Sequence, residues 1–417
     1  MEYPDPAWER VMTVQEVMLK ALSGELHWFR AAEILGWSPR SLRRWRERYE
    51  AQGYRGLVDK GLLRPSRRCV PPGQVEAVLR LYRERYVGFN VRHFHQIAQR
   101  EHGVTVSYSF VKQTLQTAGL VKRQRARGRH RRRREPRACF GELLHLDGST
   151  HPWLALRPDD RSCLIAVPDD ATNRVRHAAL YASESAHAVM TALTAVFRIH
   201  GLPMALYTDR AHWAFHTPKA KGPVDKTRRT QVGRALARLG IEHIPSYSPQ
   251  ARGRSERLNR TFQDRLVNEL RVAGIATLEA ANAYLRDVFV PQHNATFGRA
   301  PRDPASAFVA LGTADVDTIV CHEEERGVAR DNTVTLSGTV LQIDPQPGRR
   351  SCVGLQVTVR HHLDGRYTIT RGAHRLGTYG PDGQPMDAAA AVDAPNAPTA
   401  AWKTQKPRFP QRPQASL

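Results

Sequence analysis

The stretch VKRQRARGRHRRRREPR, residues 121–137, constrains this chain more than any other. Its arginines repel one another and almost nothing in it can be buried, so it cannot offset the entropy of ordering itself. It reads as an extended arm that divides the sequence. A helical pattern comes before it, and strands alternating with helices come after. Such an arm follows a line of phosphates, giving affinity without reading sequence. The whole chain shares the bias, with a net charge of +23 over 417 residues, which favours a polyanionic partner, nucleic acid foremost. At this length, roughly two to four domains are expected.

Before the arm, HWFRAAEILGWSPRSLRRWRERYEAQG carries Phe29, Ala32, Ile34 and Leu35 at helical spacing. Gly36 ends that helix, and Ser38 followed by Pro39 supplies an N-cap and a first-turn proline for the next. The second helix is basic, with Arg40, Arg43 and Arg44 as its candidate DNA contacts. Two helices joined by a glycine turn make a helix-turn-helix pattern. A second copy spans GQVEAVLRLYRERY, NVRHFHQIAQREHG and VSYSFVKQTLQTAGLV, capped near Ser107 and ended by Gly119, with Lys112 on its last helix. His93 and His95 have no cysteine pair or second histidine pair at finger spacing and read as ordinary helix residues.

After the arm, strands are expected at 142–147, 163–168, 175–181, 204–208 and 241–245, with helices at 185–200, about 228–239 and about 254–271. Three strands in succession, followed by alternation, imply a mixed sheet covered by helices. Residues 291–327 read as irregular. Short alternating runs from 331 to 379 suggest a small all-β module closing as a barrel. The Ala/Pro/Gln-rich end reads as disordered.

Three acids fall where a carboxylate needs a reason. Asp147 ends the first strand, Asp209 follows the fourth, and Glu256 opens the last long helix. The ends of strands in an α/β sheet are where sites assemble. On the helix, Leu258, Phe262, Leu266 and Leu270 form a buried stripe, leaving Glu256, Asn259, Arg260 and Gln263 on a polar face. Converging carboxylates repel unless cations lie between them, and hard oxygen donors suit Mg²⁺ or Mn²⁺. Two such ions activate water or a 3′-hydroxyl and stabilise the leaving oxygen of a phosphodiester. Asp169 and Asp170, in the hairpin after the second strand, read as structural, and Asp225 has no strand to place it.

The order strand-Asp, strand-Asp, helix-Glu resembles that of the DDE transposases, whose core is retroviral-integrase-like and ribonuclease H-like. SPQARGRSERLNRTFQDRLVNELR (248–271) looks like the third-acid region of bacterial insertion-sequence transposases, and LYTDRAHWAF and HNATFGRAPRDPASAF are similar to that group too. The chain resembles the ISNCY type over nearly its whole length. The resemblance implies a catalytic and metal-binding triad of Asp147, Asp209 and Glu256 with two divalent ions, Asp147 bridging both. It also implies 3′-end cleavage at terminal inverted repeats, strand transfer into target DNA, and a homo-oligomer assembled on DNA. The terminal module would match the small barrel of Mu-type transposases. The zinc-binding domain of retroviral integrases has no counterpart, so end recognition would fall to the helix-turn-helix units.

The expected organisation is therefore multidomain. Two all-α helix-turn-helix domains (1–65 and 66–121) and a basic linker (122–138) lead into an α/β ribonuclease H-like core (139–290). A connector (291–327), a β-barrel (328–380) and a disordered tail (381–417) follow. Phosphate contacts are expected from Arg129, Arg131, Arg132 and Arg133 in the linker, and from Arg252, Arg254, Arg257 and Arg260 around the third acid. The five scattered cysteines suit a reducing cytoplasm, on the bacterial nucleoid, and no run approaches the ~18 apolar residues of a membrane span. A non-catalytic DNA-binding regulator and a Mg²⁺-dependent nuclease are the alternatives on the same scaffold.

Overall fold

A computed structural model of the chain describes residues 5–58, 70–123, 135–218, 222–225, 227–247 and 253–386. Two compact units divide the chain, residues 1–87 with 94–124 and residues 88–93 with 125–417. The N-terminal helices are α1 (Asp5–Leu22), α2 (Trp28–Leu35), α3 (Pro39–Gln52), α4 (Pro72–Glu84), α5 (Val91–His102) and α6 (Tyr108–Thr117). Gly36 closes α2 in the left-handed region at φ 63°, donating its N–H to the carbonyls of Ala32 and Glu33. Ser38 stays extended and accepts the Ser41 N–H at 3.1 Å, so α3 starts where its cap and Pro39 require. Val14, Met18, Ala31, Ala32, Leu42 and Leu57 are buried together and hold α1 to α3 as one helical cluster.

The later elements are β1 (Cys139–Phe140), β2 (Leu144–His145), β3 (Asp147–His151), β4 (Ser162–Pro168), β5 (Val175–Tyr181), α7 (Ala186–His200) and β6 (Ala205–Thr208). Then come α8 (Gln231–Arg238), β7 (Glu242–Pro245), α9 (Gly253–Val272) and α10 (Leu278–Tyr284). β5, β4 and β3 form an antiparallel ladder, and β2, β6 and β7 a parallel one. Because β2 and β3 are consecutive pieces of one run, the two ladders adjoin as a mixed sheet. Every residue of β4 is buried, and its alternation shows why. Cys163, Ile165 and Val167 pack with α7 and α8 on one face, while Leu164 and Ala166 pack with the Leu258–Phe262–Leu266–Leu270 stripe of α9 on the other.

Two expectations change. The run holding Asp147 does not end there, since β3 continues to His151, paired residue for residue with β4. Its Gly-Ser-Thr composition reads as a turn, but pairing to the buried β4 overrides it. The segment after 290 is not wholly irregular. A π-helical turn (Leu285–Phe289) carries α10 straight into α11 (Val290–Phe297), and β8 (Asp303–Ser306) pairs in parallel with β1. Pro291 suggests a break, yet the wider π turn accommodates a residue that lacks an N–H.

The chain goes on through α12 (Val316–Ile319), β9 (His322–Gly327), β10 (Thr333–Leu336), β11 (Thr339–Gln342), β12 (Gln356–His361), β13 (Tyr367–Arg371) and β14 (His374–Tyr379). They build an open four-stranded sheet, β14-β13-β12-β9, and a separate hairpin, β10-β11. Among the described residues no ladder joins hairpin to sheet, so the expected barrel is not closed. The module also begins earlier than 328, with β9. Residues 381–386 are folded back, Met386 donating its N–H to the Thr378 carbonyl at 2.8 Å. The rest of the expected tail, and linker residues 124–134, lie outside the described residues.

Phe262, fully buried between α9 and the sheet, is the best probe of this packing. Phe262→Ala is expected to destabilise the second unit by about 3–5 kcal/mol in denaturant unfolding. The exposed Arg257→Ala is expected to stay within about 0.5 kcal/mol of the unsubstituted chain.

Candidate active site

β2 and β6 run parallel, with Leu144 opposite Leu206 and His145 opposite Tyr207, and the Leu146 N–H reaches the Tyr207 carbonyl at 3.0 Å. That pairing brings Asp147 and Asp209, the latter one residue past the end of β6, to the same edge of the sheet. Asp147 is 7% exposed. Leu144 and Leu146 point into the core on the α7 side, so Asp147 and Ser149 point to the α9 side.

There α9 meets them. Asn259 donates from Nδ2 to Asp147 Oδ2 at 2.9 Å, and Gln263 donates from Nε2 to Ser149 Oγ at 3.1 Å. Four helical residues advance about 6.0 Å and two strand residues about 6.6 Å, so one repeat matches the other. Glu256 lies one turn before Asn259, in the first turn of α9, and is exposed. Asp209 is half-buried, its Oδ1 accepting the Ala211 N–H at 3.0 Å. Among the described residues, no three His, Cys, Asp or Glu side chains are gathered closely enough to hold a metal ion as they stand. The fold brings Asp147 and Asp209 to one edge, with Glu256 on the helix that touches Asp147.

The basic candidates separate by placement. Arg40, Arg43, Arg44 and Lys112 are exposed on α3 and α6, and Arg257 and Arg260 are exposed on α9. Arg129, Arg131, Arg132, Arg133 and Arg252 lie outside the described residues. Arg254 is turned inward. Its Nε lies 3.0 Å from Asp170 Oδ1 and its Nη1 donates to the Asp170 carbonyl at 2.8 Å.

Asp170 is fully buried and forms the centre of a polar node, a larger part than the hairpin role its sequence position suggests. Its Oδ1 also faces His145 Nε2 at 2.7 Å, and its Oδ2 accepts the Arg137 N–H at 2.7 Å. Burial alone would raise its pKa. The His145 and Arg137 hydrogen bonds and the Arg254 charge outweigh burial and hold it down at about 2. The preceding Asp169 ties the same hairpin, accepting from Thr172 Oγ1 at 2.6 Å and from the Gly141 N–H at 3.0 Å.

Nothing in the sequence singles out Glu184. Its Oε1 accepts from Trp213 Nε1 at 2.7 Å, and its carboxyl carbon would lie 2.6 Å from any Cβ added to Gly148, the residue after Asp147. A carboxylate therefore covers Gly148, linking β3 to the segment that follows Asp209. No local signal marks this, because the partners are 29 residues apart.

An aspartate at about 2 in the folded chain and at its ordinary 3.8 when unfolded stabilises the fold fully above about pH 4. That contribution, about 2 kcal/mol, disappears as pH falls through about 2. Asp170→Asn is expected to remove this loss from the acid limb of a stability-against-pH profile, alongside any uniform destabilisation.

A family model described as a homeodomain-like domain matches residues 41–115. A protein of Sinorhizobium fredii described as putative transposase y4bF is 33% identical over 372 residues, covering 88% of this chain and 80% of that protein. The transposase for insertion sequence IS1202 of Streptococcus pneumoniae is 28% identical over 323 residues, covering 69% and 68%. Among solved structures, a chain of the simian T-cell lymphotropic virus intasome in complex with PP2A regulatory subunit B56 gamma is 13% identical, covers 63% of this chain and 85% of its own, and has a TM-score of 0.33. The HTLV-2 integrase catalytic core domain in complex with magnesium is 16% identical, covers 35% and 82%, and has a TM-score of 0.26.

Proposed function

This chain belongs to the insertion-sequence transposases, and we propose that it cleaves the 3′ ends of an insertion sequence and joins them to target DNA. The observation that carries this reading is the contact between Asn259 and Asp147. It seats the helix of Glu256 over the sheet edge that Asp147 and Asp209 share. Asp147, Asp209 and Glu256 are the proposed catalytic residues.

Carboxylate oxygens at one sheet edge fit a hard divalent cation better than any sulfur or imidazole set would. Mg²⁺ or Mn²⁺, two ions on this reading, would be held by Asp147, Asp209 and Glu256 and would supply activation of water or a 3′-hydroxyl and charge neutralisation at the phosphorus. The protein's own part is placement. Asn259 orients Asp147 by donating to Oδ2, and Gln263 holds Ser149 two residues on. Arg257 and Arg260, exposed on the same helix, suit DNA phosphates.

The helices before the arm, as two helix-turn-helix domains spanning 1–65 and 66–121, are assigned to the element ends. Arg40, Arg43, Arg44 and Lys112 meet DNA there, and the linker arginines follow the backbone. Two ends imply two or more copies of the chain on the DNA, in a bacterial cytoplasm. Among the described residues no helix is long and apolar enough to cross a membrane.

The test is incubation with duplex carrying the element ends, target DNA and Mg²⁺. Wild type is expected to nick and join. Asp147→Asn, Asp209→Asn and Glu256→Gln are each expected to bind the same duplex and leave it uncut. Cutting without joining would make the protein a nuclease, and binding without cutting by wild type would make it a regulator. Replacing Arg43 with alanine is expected to weaken DNA binding. The slope of log affinity against log salt should fall by about 0.9 for each phosphate the side chain no longer neutralises, measured by salt titration.

A further inference from the structure

We propose that Arg254 is a positioning residue: clamped on Asp170, it fixes the first turn of α9 and so sets where the Glu256 carboxylate stands. The inference rests on Glu256 being a catalytic acid, and it gives Arg254 a task other than holding phosphate.

The geometry runs in one chain of contacts. Arg254, with its side chain 17% exposed, uses two nitrogens on one residue, Nε on the Asp170 carboxylate and Nη1 on the Asp170 carbonyl. Asp170 is itself immobilised. Its carboxylate takes His145 and the Arg137 N–H, and its own N–H donates to the Leu143 carbonyl at 3.0 Å. Leu143 and His145 flank Leu144 in the run that reaches Asp147 two residues after His145. The node therefore joins the start of α9 to the strand that carries the first acid.

Asn259, on the same helix, holds Asp147 directly. Glu256 thus lies between two anchored residues, Arg254 two before it and Asn259 three after. Glu256 itself is exposed, so neighbouring residues must restrain its backbone. The first turn of a helix has N–H groups without intrahelical partners and frays unless tied. Ligand oxygens must be held to within about 0.5 Å for efficient chemistry, and such support is a task for side chains behind the ligands. Arginine suits this task because its rigid planar fork holds carboxylate and carbonyl from two separate nitrogens, whereas a lysine offers both a single nitrogen on a flexible stem.

The test uses the full chain with Arg254→Gln, Arg254→Lys and Glu256→Gln. In metal-free protein, amides of residues 253–259 are expected to exchange about tenfold faster in Arg254→Gln than in wild type, with the remainder of α9 unchanged. On end-bearing DNA, Arg254→Gln is expected to bind with wild-type affinity and salt slope. It is expected to cleave about 10–100-fold more slowly and to need more Mg²⁺ for half-maximal rate, with Arg254→Lys between it and wild type. Wild-type cleavage by Arg254→Gln would overturn the proposal. So would weaker DNA binding with a shallower salt slope and an unchanged Mg²⁺ requirement, which would make Arg254 a phosphate contact. So would a lowered melting temperature with exchange and Mg²⁺ requirement unchanged, which would leave it a stabilising residue only. If Arg254→Gln does not fold, the same measurements on Arg254→Lys decide, with the same outcomes. Cleavage by Glu256→Gln would instead overturn the reading on which the proposal rests, and wild-type cleavage by Arg254→Gln beside an inactive Glu256→Gln would overturn the positioning role alone.

Discussion

The burial of one helix against one sheet governs the candidate site. Leu258, Phe262, Leu266 and Leu270 repeat every four residues and meet Leu164, Ala166, Val175, Ala178 and Leu180 from β4 and β5. Dispersion and the hydrophobic effect are not directional, so they set the distance of α9 from the sheet but not its slide along it. The slide is set by polar contacts at the margin of the apolar stripe, Asn259 on Asp147, Gln263 on Ser149 and Arg254 on Asp170. A slip of one helical turn would break all three while keeping most of the apolar area buried. Specificity of register therefore comes from the polar residues, and stability from the apolar ones.

The parts of the fold legible in the sequence are those whose signals are local. Gly36, Ser38 and Pro39 specify the end of α2 and the start of α3 within four residues, and the structure places the boundaries there. The apolar run of β4 and the stripe of α9 are equally explicit. Elements fixed by distant partners are not legible. β3 has the composition of a turn and is a strand because β4 pairs with it. Residues 278–297 stay helical through Pro291 because of a π turn. Short alternating runs announce β-structure near the C-terminus, but alternation says nothing about whether edges meet, and among the described residues no ladder joins the hairpin to the sheet.

The candidate site divides in the same way. Asp147, Asp209 and Glu256 are conspicuous because each is an acid beside an apolar segment. Their supporting residues are not. In sequence His145 looks like a strand residue, Asp170 like half of a turn, and Arg254 like one more basic residue in a basic chain. Each acquires its meaning from a partner far along the sequence, 25 residues away for His145 and 84 for Arg254. One signal is present, since two consecutive aspartates after a fully apolar strand are more than a turn needs. Asp169 takes the turn hydrogen bonds and lets Asp170 point inward.

The contrast between Asp170 and Asp147 bears on what a buried carboxylate is for. Both are buried, and burial disfavours the charge of each. Asp170 is compensated by the Arg254 guanidinium and by hydrogen bonds, which is the arrangement of a group whose charge is kept permanently and used for structure. From Asn259, Asp147 receives a neutral amide, which orients an oxygen without cancelling its charge. With Arg254 directed to Asp170 and Asn259 to Asp147, two positions of α9 seat the helix on the sheet, one through a permanent charge pair and one through an amide.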